Sequence, residues 1–136
     1  MKMRAFYRPL EQMLEPDHIE SINFDTKVLG VYMEMDGKGY HKLRMSDFEI
    51  MWYTGLKDRN GKEIYEGDIL DGSWVNPMSK EKIVRFYKVV YEKAVFYAQL
   101  IGHHPYGTTL LYFENKNSEV AGNICNNPEM YEGVYE

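Results

Sequence analysis

The segment from Met51 to Leu70 constrains the fold more than any other part of the chain. It is entered through an alternating run, in which Phe48, Ile50 and Trp52 point to one side. The residues between them point to the other side: Asp47, Glu49, Met51 and Tyr53. Because successive side chains of a strand face opposite ways, this period of two predicts a half-buried strand. Thr54-Gly55 is predicted to end it.

The tetrapeptide Asp58-Arg59-Asn60-Gly61 then predicts a hairpin turn. Asn-Gly is the strongest short hairpin signal, because both residues accept positive φ. Residues 62–65 should therefore return as the partner strand, and Glu66-Gly67-Asp68 should form a second turn. Ile69-Leu70 then enters the next strand. A tight turn followed by Gly-Asp and a hydrophobic strand is a layout found in small β-barrels.

Four acidic residues of this segment allow two interpretations: Asp58, Glu63, Glu66 and Asp68. They could be metal ligands or a general acid–base set, but their spacing differs from that of a calcium-binding loop. Acidic side chains are common in turns because they accept hydrogen bonds from nearby backbone N–H groups. We favour the second interpretation.

Residues 53–70 resemble the signature of the YopX family of bacteriophages and of prophages in low-GC Gram-positive bacteria. The residues that carry the resemblance are Thr54, Gly55, Leu56, Asp58, Asn60, Gly61, Tyr65, Gly67 and Asp68. Residues 3–7 and 119–129 are similar to the opening and closing segments of the family, in the same order. The chain departs from the pattern in an insertion at residues 11–45 and in Cys125, where an aromatic residue is common. The resemblance implies a phage or prophage context but no biochemical activity.

Composition limits the classes of function. The net charge is −5, whereas a general duplex-binding protein is expected to be basic. The single cysteine excludes an intramolecular disulfide, which favours a reducing compartment. The N-terminal residues lack the apolar run of a signal peptide, and no segment approaches the roughly 18 apolar residues that span a bilayer. We therefore expect a protein of the bacterial host cytoplasm without membrane association.

The rest of the chain predicts more strands, at residues 3–7, 26–35, 83–91, 95–101, 108–114 and 119–124. A hairpin tip is expected at residues 36–39, a short helix capped by Asp17, and a loop or broken strand around residues 73–75. Residues 9–16 read as a helical turn or a loop, and residues 40–46 are ambiguous. The predicted fold class is mainly β, an antiparallel SH3-like barrel core with short helical pieces; the alternative is α+β. Residues 1–46 should form an N-terminal strand and inserted arm or lobe, and residues 47–136 the core with a C-terminal tail, together as one compact unit.

The first candidate site is the segment of residues 80–93, which is basic because it contains five basic residues and only two acidic ones. A single nucleic-acid strand could bind it through phosphate contacts and aromatic stacking. The candidate face consists of Lys82, Arg85, Tyr87 and Lys88. The alternative is a hairpin whose solvated lysines protect a sheet edge, and we favour it.

Catalytic and metal-binding patterns are weak in this sequence. His103 and His104 are adjacent, so their side chains diverge, and no zinc-binding spacing is present. Cys125 could be a nucleophile, but a lone cysteine in a small domain is more often a packing residue. We expect a protein that is not an enzyme and binds no cofactor. We expect it to act as a homo-oligomer or through a host or phage protein. Tyr131 and Tyr135 are the candidate interface, and single-strand binding is the alternative function.

Overall fold

The computed structural model describes residues 2–102 and 107–132, and most of its regular structure is β. The strands of the N-terminal half are β1 (Met3–Tyr7), β2 (Gln12–Leu14), β3 (Ile19–Asn23), β4 (Val28–Met35), β5 (Lys38–Arg44), β6 (Phe48–Lys57) and β7 (Glu63–Tyr65). Those that follow are β8 (Asp68–Asp71), β9 (Trp74–Val75), β10 (Lys82–Ile83), β11 (Phe86–Glu92), β12 (Val95–Leu100), β13 (Thr108–Leu110) and β14 (Glu119–Asn123). The described residues also contain two one-turn helices, α1 (Leu111–Glu114) and α2 (Glu129–Glu132). Short 3-10 turns lie at Arg8–Leu10, Pro16–His18, Met45–Asp47 and Asn115–Asn117.

The chain separates by its contacts into two units, Met1–Trp52 and Tyr53–Glu136. The division falls within β6, whose first half pairs with β1 and whose second half pairs with β7. The division predicted between residues 46 and 47 stays a prediction.

The first unit contains two small antiparallel sheets. In one, β1 lies between β2 and β6; in the other, β4 lies between β3 and β5. Leu29 and Val31 of β4 are fully buried with Ala5 of β1, which gives this unit its core. The predicted strand face of Val31, Met33 and Met35 is confirmed, since all three belong to or pack against this core. The predicted hairpin tip is also confirmed, because β4 and β5 pair across it.

The second unit is built on a five-stranded antiparallel sheet in the order β13-β12-β11-β8-β14. Its core consists of Ile64, Leu70, Tyr87, Val89, Ala98 and Leu111. The predicted fold class is confirmed, since the sheets are antiparallel, the helical pieces are short, and one sheet curls into a half-barrel. In this order β11 is the central strand, and β8, which directly follows the second predicted turn, lies between β11 and β14.

The structure corrects the end of the first predicted strand. β6 continues through Thr54-Gly55 to Lys57, and its pairing with β7 is irregular between Tyr53 and Lys57. Gly55 adopts φ of 83°, a left-handed conformation that glycine accepts at little cost. The Thr54 hydroxyl donates to the Ile64 carbonyl oxygen over 2.7 Å and keeps the irregular segment tied to β7. The glycine therefore marks a bulge within a strand and not its end.

Other corrections concern where strands stop. The predicted strand at residues 83–91 is broken into β10 and β11, because the Arg85 N–H donates to the Ser73 hydroxyl instead of a strand partner. The predicted strand at residues 108–114 stops at Leu110 and becomes α1, whose Leu111 is fully buried in the second core. The expected helix capped by Asp17 is only a 3-10 turn without a side-chain cap, and it leads directly into β3.

Two ambiguous segments are decided by pairing. Residues 9–16 contain a 3-10 turn and the short strand β2, which pairs with β1. Residues 40–46 begin as β5, paired along β4, and end in a 3-10 turn.

Candidate functional site

A polar cleft of about 490 Å³ lies on the second unit. Its lining is mixed, with three cationic side chains, several hydrogen-bonding groups and one large aromatic ring. The lining residues used below are Arg59, Ser73, Trp74, Arg85, Glu114 and Lys116. We call this surface the polar cleft.

Arg59 reaches the polar cleft because a buried carboxylate fixes the turn that carries it. Asp58 is 6% exposed, and its Oδ1 accepts the N–H groups of Asn60 and Lys62, each at 2.9 Å. Its Oδ2 accepts the N–H of Val120 at 2.9 Å, which fastens the turn to β14. The Arg59 guanidinium then lies 3.1 Å from a Glu119 carboxylate oxygen.

The protonation of Asp58 follows from these contacts. Burial by itself raises the pKa of the Asp58 carboxyl, because charge is costly away from water. The three backbone N–H donors and the Lys62 charge favour the ionised form more strongly, so the pKa lies below its usual value. Asp58 is therefore an ionised anchor of the turn.

Arg85 is positioned by the chain that leaves β8. Its carbonyl oxygen accepts the Gly72 N–H at 2.8 Å, and its own N–H donates to the Ser73 hydroxyl at 3.1 Å. A side chain at Gly72 would not fit, because a Cβ there would lie 2.7 Å from a ring carbon of Tyr87. The close approach that glycine allows thus brings Arg85 to the cleft.

Glu114 and Lys116 enter the cleft from α1 and the 3-10 turn that follows it. The Ser118 hydroxyl lies 3.4 Å from a Glu114 carboxylate oxygen. Burial raises the pKa of the Glu114 carboxyl, although this hydrogen bond and the charge of Arg85 act in the opposite direction. Among the residues that the structure describes, neither Arg85 nor Lys116 forms an ion pair.

The predicted nucleic-acid face is only partly present as a surface. Lys82 and Arg85 are exposed and Lys88 is half-buried. Tyr87 is 4% exposed and belongs to the second core, so its ring is not available to stack on a base. This part of the prediction is corrected, because alternate residues of β11 point into the half-barrel. Arg85 instead joins Arg59 and Lys116 in the polar cleft.

The residues of the predicted family motif serve the backbone and the core. Gly61 and Gly67 adopt φ of 82° and 84°, and Leu56 packs against the second core. Asp68 is buried and accepts the N–H of Tyr65, itself buried, at 2.8 Å. The remaining members, Thr54, Gly55, Asp58 and Asn60, hold the bulge and the turn, and Asn60 donates to Glu119.

The other candidate residues lie at the margins of the structure. Tyr131 belongs to α2, while Tyr135, His103 and His104 fall outside the described residues. Within residues 2–102 and 107–132, no three His, Cys, Asp or Glu side chains are grouped as a metal site would require. No helix in the described part of the chain has the length and apolar character needed to cross a membrane.

Sequence reasoning missed most of the polar cleft. Arg59 is inside the central turn but was considered only as a turn residue, and Trp74, Glu114 and Lys116 come from three further segments. A usable signal was present at Trp74, a large aromatic residue between the turn formers Asp71-Gly72 and Asn76-Pro77. An aromatic ring between two turns is expected to stay exposed, and the Trp74 side chain is 44% exposed.

Comparison with known proteins agrees with the resemblance found in the sequence. The crystal structure of protein EF1440 from Enterococcus faecalis is similar to this chain, with a TM-score of 0.60, 23% sequence identity and 96% of each chain covered. That likeness shows a shared fold. No curated protein sequence matches the chain. The family model described as YopX protein matches residues 2–132, nearly the whole length, and the chain therefore belongs to the YopX family.

Proposed function

We propose that this protein is a non-catalytic phage or prophage accessory protein that works by self-association in the bacterial cytoplasm. The observation that carries the proposal is a group of exposed apolar side chains on one segment, residues 74–84, which forms a two-stranded sheet of its own. Their exposed fractions are 44% for Trp74, 57% for Val75, 93% for Met78 and 61% for Val84. We call this segment the 74–84 arm. Several exposed apolar side chains on one short segment are typical of an interaction surface.

The 74–84 arm has a defined shape of its own. Val75 pairs with Lys82 and Trp74 with Ile83, which makes a two-stranded sheet separate from the main sheet. The side chain of Asn76 accepts the Met78 N–H at 2.9 Å and orders the tip. A two-stranded hairpin is only marginally stable in water. A further strand or surface from a partner would stabilise it.

A second copy of this chain is the partner that charge favours. The arm and its end carry Lys80, Lys82 and Arg85 against Glu81, so this segment is basic. The chain as a whole has a net charge of −5, which leaves the remaining surface strongly acidic. A basic, apolar arm and an acidic body are complementary between two copies. Such a head-to-tail contact closes into a ring when its rotation permits.

The absence of catalysis in this proposal is supported by the roles of the acidic motif residues. Asp58 and Asp68 are buried and accept backbone N–H groups. Carboxylates engaged in this way hold the fold and are not directed at a substrate. A host or phage protein that binds the same arm is the other outcome to be tested.

Light scattering after size-exclusion chromatography tests the proposal, at two salt concentrations and several protein concentrations. We expect a mass that is a multiple of 16.1 kDa for the unmodified chain. The double substitution Met78→Asp with Val84→Asp should return the mass to that of one chain. Leu10→Asp, on an apolar side chain that is 51% exposed in the first unit, is the matched control and should leave the assembly intact.

A monomer at every concentration would contradict self-association. Equal loss of assembly in the Leu10→Asp control would exclude the 74–84 arm as the specific contact. If a host or phage protein is retained by the unmodified chain and lost with the double substitution, the arm binds that partner instead of a second copy.

A further inference from the structure

The polar cleft brings together three cations that are far apart in the sequence. Arg59 comes from the central turn, Arg85 from the link between β10 and β11, and Lys116 from the 3-10 turn after α1. Arg85 and Lys116 form no ion pair among the described residues, whereas Arg59 forms an ion pair with Glu119. Like charges repel, so such a grouping is favourable when an anion binds between them.

The described lining of the cleft contains one carboxyl group, that of Glu114, against three cations, so positive charge remains in excess. Glu114 is half-buried, and burial disfavours its ionised form. Its oxygen is an acceptor next to the cations, at 3.4 Å from the Ser118 hydroxyl. A ligand that carries an anionic group and a hydrogen-bond donor, such as a ribose hydroxyl or a base amino group, fits this arrangement of charge.

The size of the cleft and its aromatic wall narrow the choice of ligand. A volume of about 490 Å³ is within the usual range for small-molecule sites, roughly 300 to 1,000 Å³. Trp74 lines the cleft and is 44% exposed, so part of its ring is open to contact. Indole rings bind flat aromatic groups by stacking, and every nucleobase has such a face.

We propose that the polar cleft binds a phosphorylated nucleoside, with its phosphate between Arg59, Arg85 and Lys116 and its base against Trp74. The same chemistry is offered by a free nucleotide and by an unpaired residue of a nucleic-acid strand. Arginine side chains bind phosphate oxygens through two parallel N–H groups, and lysine binds as a point charge. This ligand site shares Trp74 and Arg85 with the proposed self-association surface, whereas Lys116 lies outside the 74–84 arm and reports on ligand binding alone.

Calorimetric titration of the full chain at low salt is the test, with four probes: adenosine monophosphate, adenosine, inorganic phosphate and a single-stranded DNA of about ten nucleotides. We expect the nucleotide to bind more tightly than adenosine or phosphate alone. Arg85→Ala and Lys116→Ala should each weaken its binding about tenfold, as for a lost charge-assisted contact. Trp74→Ala should reduce the advantage of the nucleotide over inorganic phosphate.

Lys42→Ala is the matched control, because it removes one exposed positive charge from β5 of the first unit. Its affinity should stay within about twofold of the unmodified chain, and thermal melting should show all variants folded. Equal affinity for the DNA per site and for the free nucleotide would identify a nucleotide site. Much tighter binding of the DNA would identify a strand-binding site, and both results support the proposal.

Three results would overturn the proposal. The first is no binding of either phosphorylated nucleoside probe at low salt. The second is equal weakening by Lys42→Ala and Arg85→Ala, which would indicate nonspecific attraction. The third is inorganic phosphate binding as tightly as the nucleotide, which would leave no role for Trp74.

Discussion

Asp58 connects two distant parts of the chain through one side chain. Its carboxylate accepts N–H groups from the central turn and from Val120 of β14, 62 residues further on. The turn chemistry of Asp-x-Asn-Gly is readable in the sequence, but the third hydrogen bond is not, because it depends on how β14 pairs with β8. A residue that serves a local turn and a distant strand at once is expected to be sensitive to substitution.

Replacing Asp58 with Asn should lower the free energy of unfolding by about 2 kcal/mol at neutral pH, because the amide offers one acceptor where the carboxylate offers two. Urea unfolding followed by circular dichroism would measure the loss. Asp17→Asn, at an exposed aspartate, is the control and should change stability by less than about 0.5 kcal/mol. Similar stability of the two variants would contradict the anchoring role.

The stability that Asp58 provides should also depend on pH. Its pKa is lowered in the folded state, so the contribution is fully present above the unfolded value of about 3.9. It is lost as the pH falls through the lower folded value. The difference in unfolding free energy between the unmodified chain and Asp58→Asn should therefore be constant from pH 7 to about pH 5 and narrow below about pH 4. A difference that does not narrow in acid would show that the charge of Asp58 has no role.

At the scale of elements, some residues with positive φ can be recognised from the sequence and others cannot. At Gly55 and Gly61 the residue type itself indicates a positive φ, because glycine adopts this conformation at little cost. The hairpin between β11 and β12 gives no such signal, since Lys93 and Ala94 adopt φ of 50° and 66°. Their conformation is imposed by the pairing of Glu92 with Val95 on either side of a two-residue turn. Two-residue turns of this hand match the twist of the strands they connect.

The substitution of Lys93-Ala94 by Asn-Gly should therefore stabilise the second unit by about 1 kcal/mol, because these residues accept the left-handed region at a lower cost. Ala94→Val should act in the opposite direction, since a β-branched side chain is unfavourable at positive φ. Thermal or urea unfolding of the two variants measures both effects. The same sign for both would show that the turn is not strained.

The bulge in β6 gives a second test at this scale. Gly55→Ala should cost about 1 kcal/mol through its φ of 83° alone, because no atom lies within 4 Å of the position of an added Cβ. Gly39→Ala is the control, since Gly39 lies in β5 and its nearest neighbour is the mobile end of Glu34, 3.3 Å away. Equal effects on urea unfolding would exclude backbone conformation as the reason for glycine at position 55.

At the scale of the whole molecule, the described residues form two buried hydrophobic cores. One includes Leu29 and Val31, and the other includes Leu70 and Leu111. Composition fits either one domain or a core with an added lobe, so the sequence could not decide between them. The two cores follow from the strand pairing, in which β6 changes partner from β1 to β7.

Leu29→Ala should create a cavity in the first core and cost about 3 kcal/mol, and Leu111→Ala should do the same in the second. Hydrogen exchange is expected to show the larger loss of protection in residues 2–52 for the first variant and in residues 53–132 for the second. Identical patterns of lost protection in both variants would show that the cores unfold together.

The sequence by itself determined the family, the β class and the central hairpin, because these depend on neighbours in the chain: alternation, Asn-Gly and glycines at positive φ. It could not determine where Leu111 leaves the sheet or that Tyr87 faces the core, since both depend on which strands lie beside β11 and β12. The sequence could not predict the polar cleft for the same reason. Arg59, Trp74, Arg85 and Lys116 become neighbours only when the turn is fastened to β14 and the chain after β8 returns to β11, and such long-range pairing is decided by tertiary packing.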